Sequence, residues 1–220
     1  MAIASLIGPM VAVVMALAAL PAKAAEPVRV LVLGDSLTAG YGLPRGEGFT
    51  VRLQQALAAQ GLSVDVINGG VSGDTSAGGR ARLAWMLGNT PAEQPDAVII
   101  ELGANDGLRG VDPNVTYGNL DAILGELKRR NIPVLLTGMY ALPNYGADYG
   151  RRFAAVYTRL VEGYKVPFYP FFLDGVAGIA ALNQADGVHP NAAGVDEIVR
   201  RITPAVVTFL REIAAGEKTG

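Results

Sequence analysis

Five short apolar runs alternate with amphipathic segments along this chain, and that alternation limits its architecture more than any other feature. The runs are Val28–Leu33, Val64–Ile67, Ala97–Leu102, Pro133–Thr137 and Pro167–Phe172. Each is too short for a helix and rich in Val, Ile and Leu, which predicts strands buried on both faces. Between them the apolar spacing becomes helical. Leu120, Ile123, Leu124 and Leu127 form one stripe, with Asn131 as its predicted C-terminal stop. Val195, Ile198, Val199, Ile202, Val206, Phe209, Leu210 and Ile213 form another, and Thr203-Pro204 within it predicts a kink or a re-capped second helix. Strand–helix alternation implies a parallel sheet covered by helices on both faces, with right-handed crossovers. No internal repeat and no long linker divides the chain.

Sheets of this kind bind ligands at the carboxyl ends of their strands. Gly34-Asp35-Ser36 follows the first run, and Asn68-Gly69-Gly70-Val71-Ser72-Gly73-Asp74-Thr75 the second. Gly103-Ala104-Asn105-Asp106-Gly107 follows the third, the loop Tyr140–Gly150 the fourth, and Asp186 and His189 lie beyond the fifth. Polar residues able to do chemistry therefore collect at one end of the sheet.

His189 is the only histidine, and it sits in Asp186-Gly187-Val188-His189-Pro190-Asn191. An acid three residues ahead of an imidazole, on a tight loop, is placed to hold a ring nitrogen. The competing reading is a surface or capping histidine. A serine needs such a base, itself oriented by a partner, before it is an effective nucleophile. Beyond residue 24 the serines are Ser36, Ser63, Ser72 and Ser76. Ser63 falls at the wrong end of the sheet, and Ser72 and Ser76 read as turn or cap residues. Ser36 follows a strand and enters a helix, where backbone amides favour developing negative charge. A plain helix-capping turn is the alternative for it. Gly73 can bring its backbone N–H close to a ligand. Asn105 offers a neutral amide for an oxyanion, unless it merely satisfies its own loop.

Composition removes other classes. The net charge is −2 and no Lys/Arg run exceeds Lys128-Arg129-Arg130, which argues against a nucleic-acid partner. With no cysteine and one histidine, the usual zinc and iron ligands are missing. There is no Gly-Lys dipeptide for a phosphate-binding loop, no dinucleotide-binding glycine fingerprint after a strand, and no Gly-x-Ser-x-Gly elbow.

Residues 1–22 carry no charged side chain, Leu6–Leu20 is almost wholly apolar, and Pro21 precedes Ala22-Lys23-Ala24. This reads as a secretory signal peptide over residues 1–24, although its start lacks the usual Lys or Arg. An uncleaved membrane anchor is the alternative, since about 20 apolar residues span a bilayer. Residues 25–220 then form one catalytic domain, periplasmic or secreted, with no stable membrane insertion after cleavage.

Gly34-Asp35-Ser36-Leu37, Gly73, Gly103-x-Asn105-Asp106 and Asp186-x-x-His189 together resemble the four blocks of the GDSL, or SGNH-hydrolase, superfamily. Ser36, Gly73, Asn105 and His189 match the residues that give that family its name, and the resemblance runs from about Val30 to Asn191. The surrounding stretches Gly34–Tyr41, Ser72–Ser76 and Glu101–Gly110, with Leu142-Pro143 and Asn144-Tyr145-Gly146, are similar to the branch of bacterial periplasmic thioesterases, lysophospholipases and arylesterases. The resemblance implies a flavodoxin-like three-layer α/β/α sandwich on a five-stranded parallel sheet. It also implies a serine esterase acting on small-molecule or lipid acyl esters and thioesters, with no metal and no cofactor. Ser36 would be the nucleophile, His189 its base and Asp186 the orienting acid. Ser36 and Gly73 N–H and the Asn105 amide would form the oxyanion hole. The loop Tyr140–Gly150, with Leu142, Tyr145 and Tyr149, is expected to form a mobile wall of the acyl site, against the alternative of a rigid connector. Around Ala147–Tyr149 it departs from that branch, so no acyl-chain preference carries over. Alternatives are a carbohydrate O-acetylesterase or acyltransferase on the same residues, and a non-catalytic periplasmic binding module. Mass spectrometry of the exported protein is expected to find an N-terminus near Ala25. Recovery of the Met1 form in washed membranes would instead establish an anchor.

Overall fold

The computed structural model describes residues 26–90 and 92–216, so the segment read as a signal peptide lies outside the described residues. Five strands, β1 (Val28–Gly34), β2 (Val64–Gly70), β3 (Ala97–Glu101), β4 (Val134–Thr137) and β5 (Phe168–Tyr169), form one parallel sheet in the order β2-β1-β3-β4-β5. The helices are α1 (Ser36–Ala39), α2 (Phe49–Ala59), α3 (Ser76–Met86), α4 (Ala104–Leu108), α5 (Pro113–Arg129), α6 (Gly146–Tyr164) and α7 (Ala192–Ala214). Helices α2 and α7 pack on one another, while α5 packs on both α3 and α6, giving a helical layer on each side of the sheet.

Burial explains which runs became full strands. Val30–Leu33 of β1, all of β3 and all of β4 are buried. The second run departs from the expected pattern. β2 is an edge strand, with Val66 buried and Asp65 exposed. The fifth run yields only two strand residues. Pro167 and Pro170 flank them, and neither proline has an N–H to donate to the ladder.

Helix ends follow the side chains that can cap them. Asp112 caps α5 through Asn114 N, with Pro113 in the first turn, and the chain leaves this helix through Asn131 at φ 56°. Helix α7 runs unbroken through Pro204, so no re-capped second helix forms at Thr203-Pro204. Its buried stripe, Val195 to Leu210, continues on both sides of the proline and holds the helix together by packing. The Thr203 hydroxyl turns back to Val199 O at 2.6 Å.

The strand order reverses between β1 and β3, which opens a crevice at their carboxyl ends. Helix α1 lies directly across the end of the sheet because Gly34 and Gly70 have no side chains. A Cβ on Gly34 would overlap the Thr38 hydroxyl, and one on Gly70 would overlap Ala39 N. Gly70→Ala is therefore expected to destabilise the protein by about 2–4 kcal/mol in urea unfolding. It should displace Ser36 as well, since that residue begins the helix that would move.

Candidate active site

Asp35 is the N-cap of α1, with Oδ1 accepting from Leu37 N at 3.0 Å, and Ser36 is the first residue of the helix. The Ser36 N–H faces no acceptor among the described residues, as the first amides of a helix have no internal partner. From 153 residues away His189 brings its Nε2 to 2.9 Å from Ser36 Oγ. In the tautomer with its proton on Nδ1, the ring donates to Asp186 Oδ2 at 2.7 Å and leaves Nε2 as an acceptor.

The Asp186 carboxylate is itself fixed by the turn. Its Oδ1 accepts from Val188 N at 2.9 Å and His189 N at 3.0 Å, with Gly187 at φ +71° completing the bend. The His189 N–H lowers its pKa most, followed by the Val188 N–H and the imidazole, and together they hold it at about 2. The histidine loop is tied to the segment after α1. Gln184 Nε2 donates to Tyr41 O and Pro190 O, and the Tyr41 ring lies 4.5 Å from the His189 ring.

Gly73 occupies the turn after β2 at φ +86°, a conformation that favours glycine. Its carbonyl accepts from Arg109 at 2.9 Å. Arg82 braces the same turn, donating to the Asp74 carboxylate at 2.6 Å and to Gly34 O at 2.8 Å. Asn105 lies in α4, which begins after Gly103 at φ +116°. Its Nδ2 donates to Asp74 O at 3.0 Å and to Asp35 Oδ2 at 3.1 Å. One amide thus bridges the turn after β2 and the cap of the serine helix.

The sequence reading assigned no role to the acids beneath this arrangement. Asp35 and Glu101 are both fully buried. Glu101 Oε2 accepts from the Thr38 hydroxyl at 2.8 Å and from Asp35 N at 3.3 Å, whereas its buried Oε1 has no partner. Burial, and then the neighbouring Asp35 charge, push the Glu101 carboxyl well above the usual range. Burial likewise raises Asp35, against the opposing effect of the Leu37 N–H and the Asn105 amide. Asp106, beside Asn105, is structural. It accepts from Ser76 N and Oγ and from Thr116 Oγ1, locking α4 to α3 and α5. Thr75 rather than Ser76 caps α3, so Ser76 is a buried network residue and not the expected turn or cap. A signal for these acids was present in the sequence. Glu101 interrupts the otherwise apolar run Ala97–Leu102, and a charge there needs a local reason to be buried.

A cavity of about 150 Å³ opens beside Ser36, Asn105 and His189. Leu37, Leu108, Met139, Leu142, Leu173 and Val188 make most of its wall apolar. Of the three loop residues singled out in the sequence, Leu142 lines the cavity, while Tyr145 and Tyr149 do not. Their hydroxyls are tied to Leu108 O and Val111 O, and their rings lie 5.2 Å apart. The stretch expected to be one loop is a 3-10 turn, Pro143–Tyr145, running into α6 at Gly146. Among the described residues no three His, Cys, Asp or Glu side chains converge as a metal-binding cluster.

Residues 32–196 match the model of the GDSL-like lipase/acylhydrolase family. The chain belongs to this family. It is 40% identical over 181 residues to the esterase TesA of Pseudomonas aeruginosa, covering 82% of this chain and 89% of that protein. It is 38% identical over 169 residues to the thioesterase 1/protease 1/lysophospholipase L1 of Escherichia coli K12, covering 77% and 78%. Among solved structures, AlinE4, an SGNH-hydrolase family esterase, superposes with a TM-score of 0.72 at 46% identity, covering 86% of this chain and 99% of that one. The GDSL family match thus spans every residue of the site described above.

The buried acids of this GDSL chain predict a pH signature. A carboxyl whose folded pKa is raised stabilises the fold fully only below its unfolded value of about 4.3, and that contribution is lost as pH rises toward the folded value. Glu101→Gln does not titrate. Its Tm is expected to match the unaltered protein near pH 4 and to exceed it by about 3 °C or more at pH 8. A constant difference across that range would mean that Glu101 is ionised in the fold.

Proposed function

We propose that this chain is an exported, single-domain serine esterase hydrolysing carboxylic esters, thioesters and lysophospholipid-type acyl esters. The observation that carries the reading is the continuous contact Ser36–His189–Asp186, at 2.9 and 2.7 Å, assembled at the mouth of an apolar cavity. Relatives named esterase, arylesterase and thioesterase support the same reaction class.

In this mechanism Ser36 Oγ attacks the acyl carbonyl as its proton passes to His189 Nε2. Asp186, held as a carboxylate by its turn, stabilises the imidazolium through Nδ1–H. The carbonyl oxygen becomes an oxyanion facing Ser36 N–H, Gly73 N–H and the Asn105 amide. Both Asn105 N–H groups have acceptors in the resting site, so one of them is shared with the oxyanion. The N–H held by Asp74 O fixes the amide plane, and the one facing Asp35 serves the substrate. His189 then protonates the departing alcohol or thiol. Water, deprotonated by the same histidine, cleaves the acyl-enzyme and restores Ser36.

The apolar lining favours an acyl chain over the small polar pocket that a carbohydrate O-acetylesterase would need. The serine–imidazole contact argues against a non-catalytic binding module. Export to the periplasm or beyond, after removal of residues 1–24, rests on the Ala22-Lys23-Ala24 pattern and the apolar run before it. Residues 25–220 then act as the single catalytic domain.

Ser36→Ala and His189→Ala are each expected to lower kcat on p-nitrophenyl esters by about 10⁴-fold or more with the fold intact. The double variant should be hardly worse than either single one. Activity above a few per cent in Ser36→Ala would refute the assignment. Asn105→Ala should cost roughly 10²–10³ in kcat with little change in KM. A change in KM alone would make Asn105 a substrate-positioning group.

A further inference from the structure

A second cavity, of about 220 Å³, lies against the one beside Ser36 and shares two wall residues with it, Met139 and Tyr140. Its remaining wall comes from α6, through Ala154, Ala155, Tyr157 and Thr158, and from Phe168 and Pro170 at the sheet edge. No charged side chain lines it. The Thr158 hydroxyl turns back on its own helix to Ala155 O, leaving little polarity facing the space. Small residues on one face of α6 beside a two-residue edge strand leave a furrow that neither layer fills.

Tyr140 divides the two spaces, and it is held differently from its neighbours. Tyr145, Tyr149 and Tyr157 are each fastened through the hydroxyl to a backbone carbonyl. Tyr140 has no hydroxyl partner among the described residues, is 54% exposed, and rests on the Phe171 ring at 4.5 Å. A ring held only by stacking changes rotamer without breaking a hydrogen bond.

We propose that the furrow is a distal acyl subsite, reached from the cavity of Ser36 past Tyr140, which takes the far methylenes of long-chain acyl esters. The inference rests on the esterase reading above and specifies its substrate class. The occupant follows from the page. The furrow shares Met139 and Tyr140 with the cavity beside Ser36, its wall is mostly apolar, and it holds no charged side chain to pair with a phosphate or an ammonium group. A short acyl chain is satisfied beside Leu142 and Leu173. A longer one gains more by turning into the furrow than by leaving its end in water.

The test is kcat/KM for p-nitrophenyl esters from C4 to C12 with the unaltered protein, Ala155→Trp and Thr158→Phe. Both substituted positions line only the second cavity. Each methylene moved out of water contributes up to about fourfold in kcat/KM. The unaltered protein should therefore gain from C4 through C12, and both variants should lower the C12-to-C4 ratio at least tenfold. Two variants are used so that a folding defect in one does not decide the result. An unaltered ratio in a folded variant, or equal losses on C4 and C12 in both, would overturn the subsite. Absence of C4 hydrolysis by the unaltered protein would refute the esterase reading itself, a distinguishable outcome.

Discussion

Asp35 is the group on which this site depends, because one carboxylate positions two functional elements at once. Its Oδ1 caps the helix that Ser36 begins, and its Oδ2 holds the amide of Asn105. Ser36 and the Asn105 amide, the proposed nucleophile and oxyanion donor, are thereby fixed to each other, not merely to the scaffold. Catalysis of this type gains most from donors already aimed where charge develops, since they need no reorganisation during the reaction. Asp35 can play this part only from inside the protein, where water does not compete for its oxygens. Placing it there raises its pKa through desolvation, and the Leu37 and Asn105 N–H groups oppose that rise.

Glu101 extends the same logic one layer deeper. Burial and the neighbouring Asp35 charge raise its pKa, and its Oε2 accepts from the Asp35 N–H and the Thr38 hydroxyl. Its second oxygen has no partner, an uncommon feature for a buried polar atom. Such a group weakens the fold. Its position under the serine helix fits the general tendency of strain and unsatisfied polarity to collect where function is built.

The rest of the rim follows from similar ties. Arg109 on the Gly73 carbonyl and Arg82 on Asp74 hold the turn that presents the Gly73 N–H. The imidazole loop is tied to Tyr41 through Gln184. On the far side of the cavity, Tyr145 and Tyr149 brace the end of α4 while Leu142 and Tyr140 line the cavity beside Ser36. Tyrosines four or five residues apart therefore serve different purposes, depending on whether their hydroxyl reaches a carbonyl and which one.

The sequence by itself determined the parallel α/β architecture and singled out Ser36, Gly73, Asn105, Asp186 and His189 as candidates, which the fold gathers at the carboxyl ends of the strands. These were legible because they depend on local order: apolar periodicity, the residue that follows each strand, and turn chemistry such as Asp186 to His189. Some features were decided only in three dimensions. Asp35 and Glu101 meet across neighbouring strands, so their burial and the raised pKa of each depend on the β1–β3 register. The division of labour among Tyr140, Tyr145 and Tyr149 depends on carbonyls 37 or more residues away. The unbroken course of α7 through Pro204 rests on packing that outweighs the missing hydrogen bond, and the brevity of β5 on two prolines at a sheet edge. Local chemistry sets which groups are present, whereas desolvation and long-range pairing set their charge, their partners and their roles. Those are properties of the packed chain.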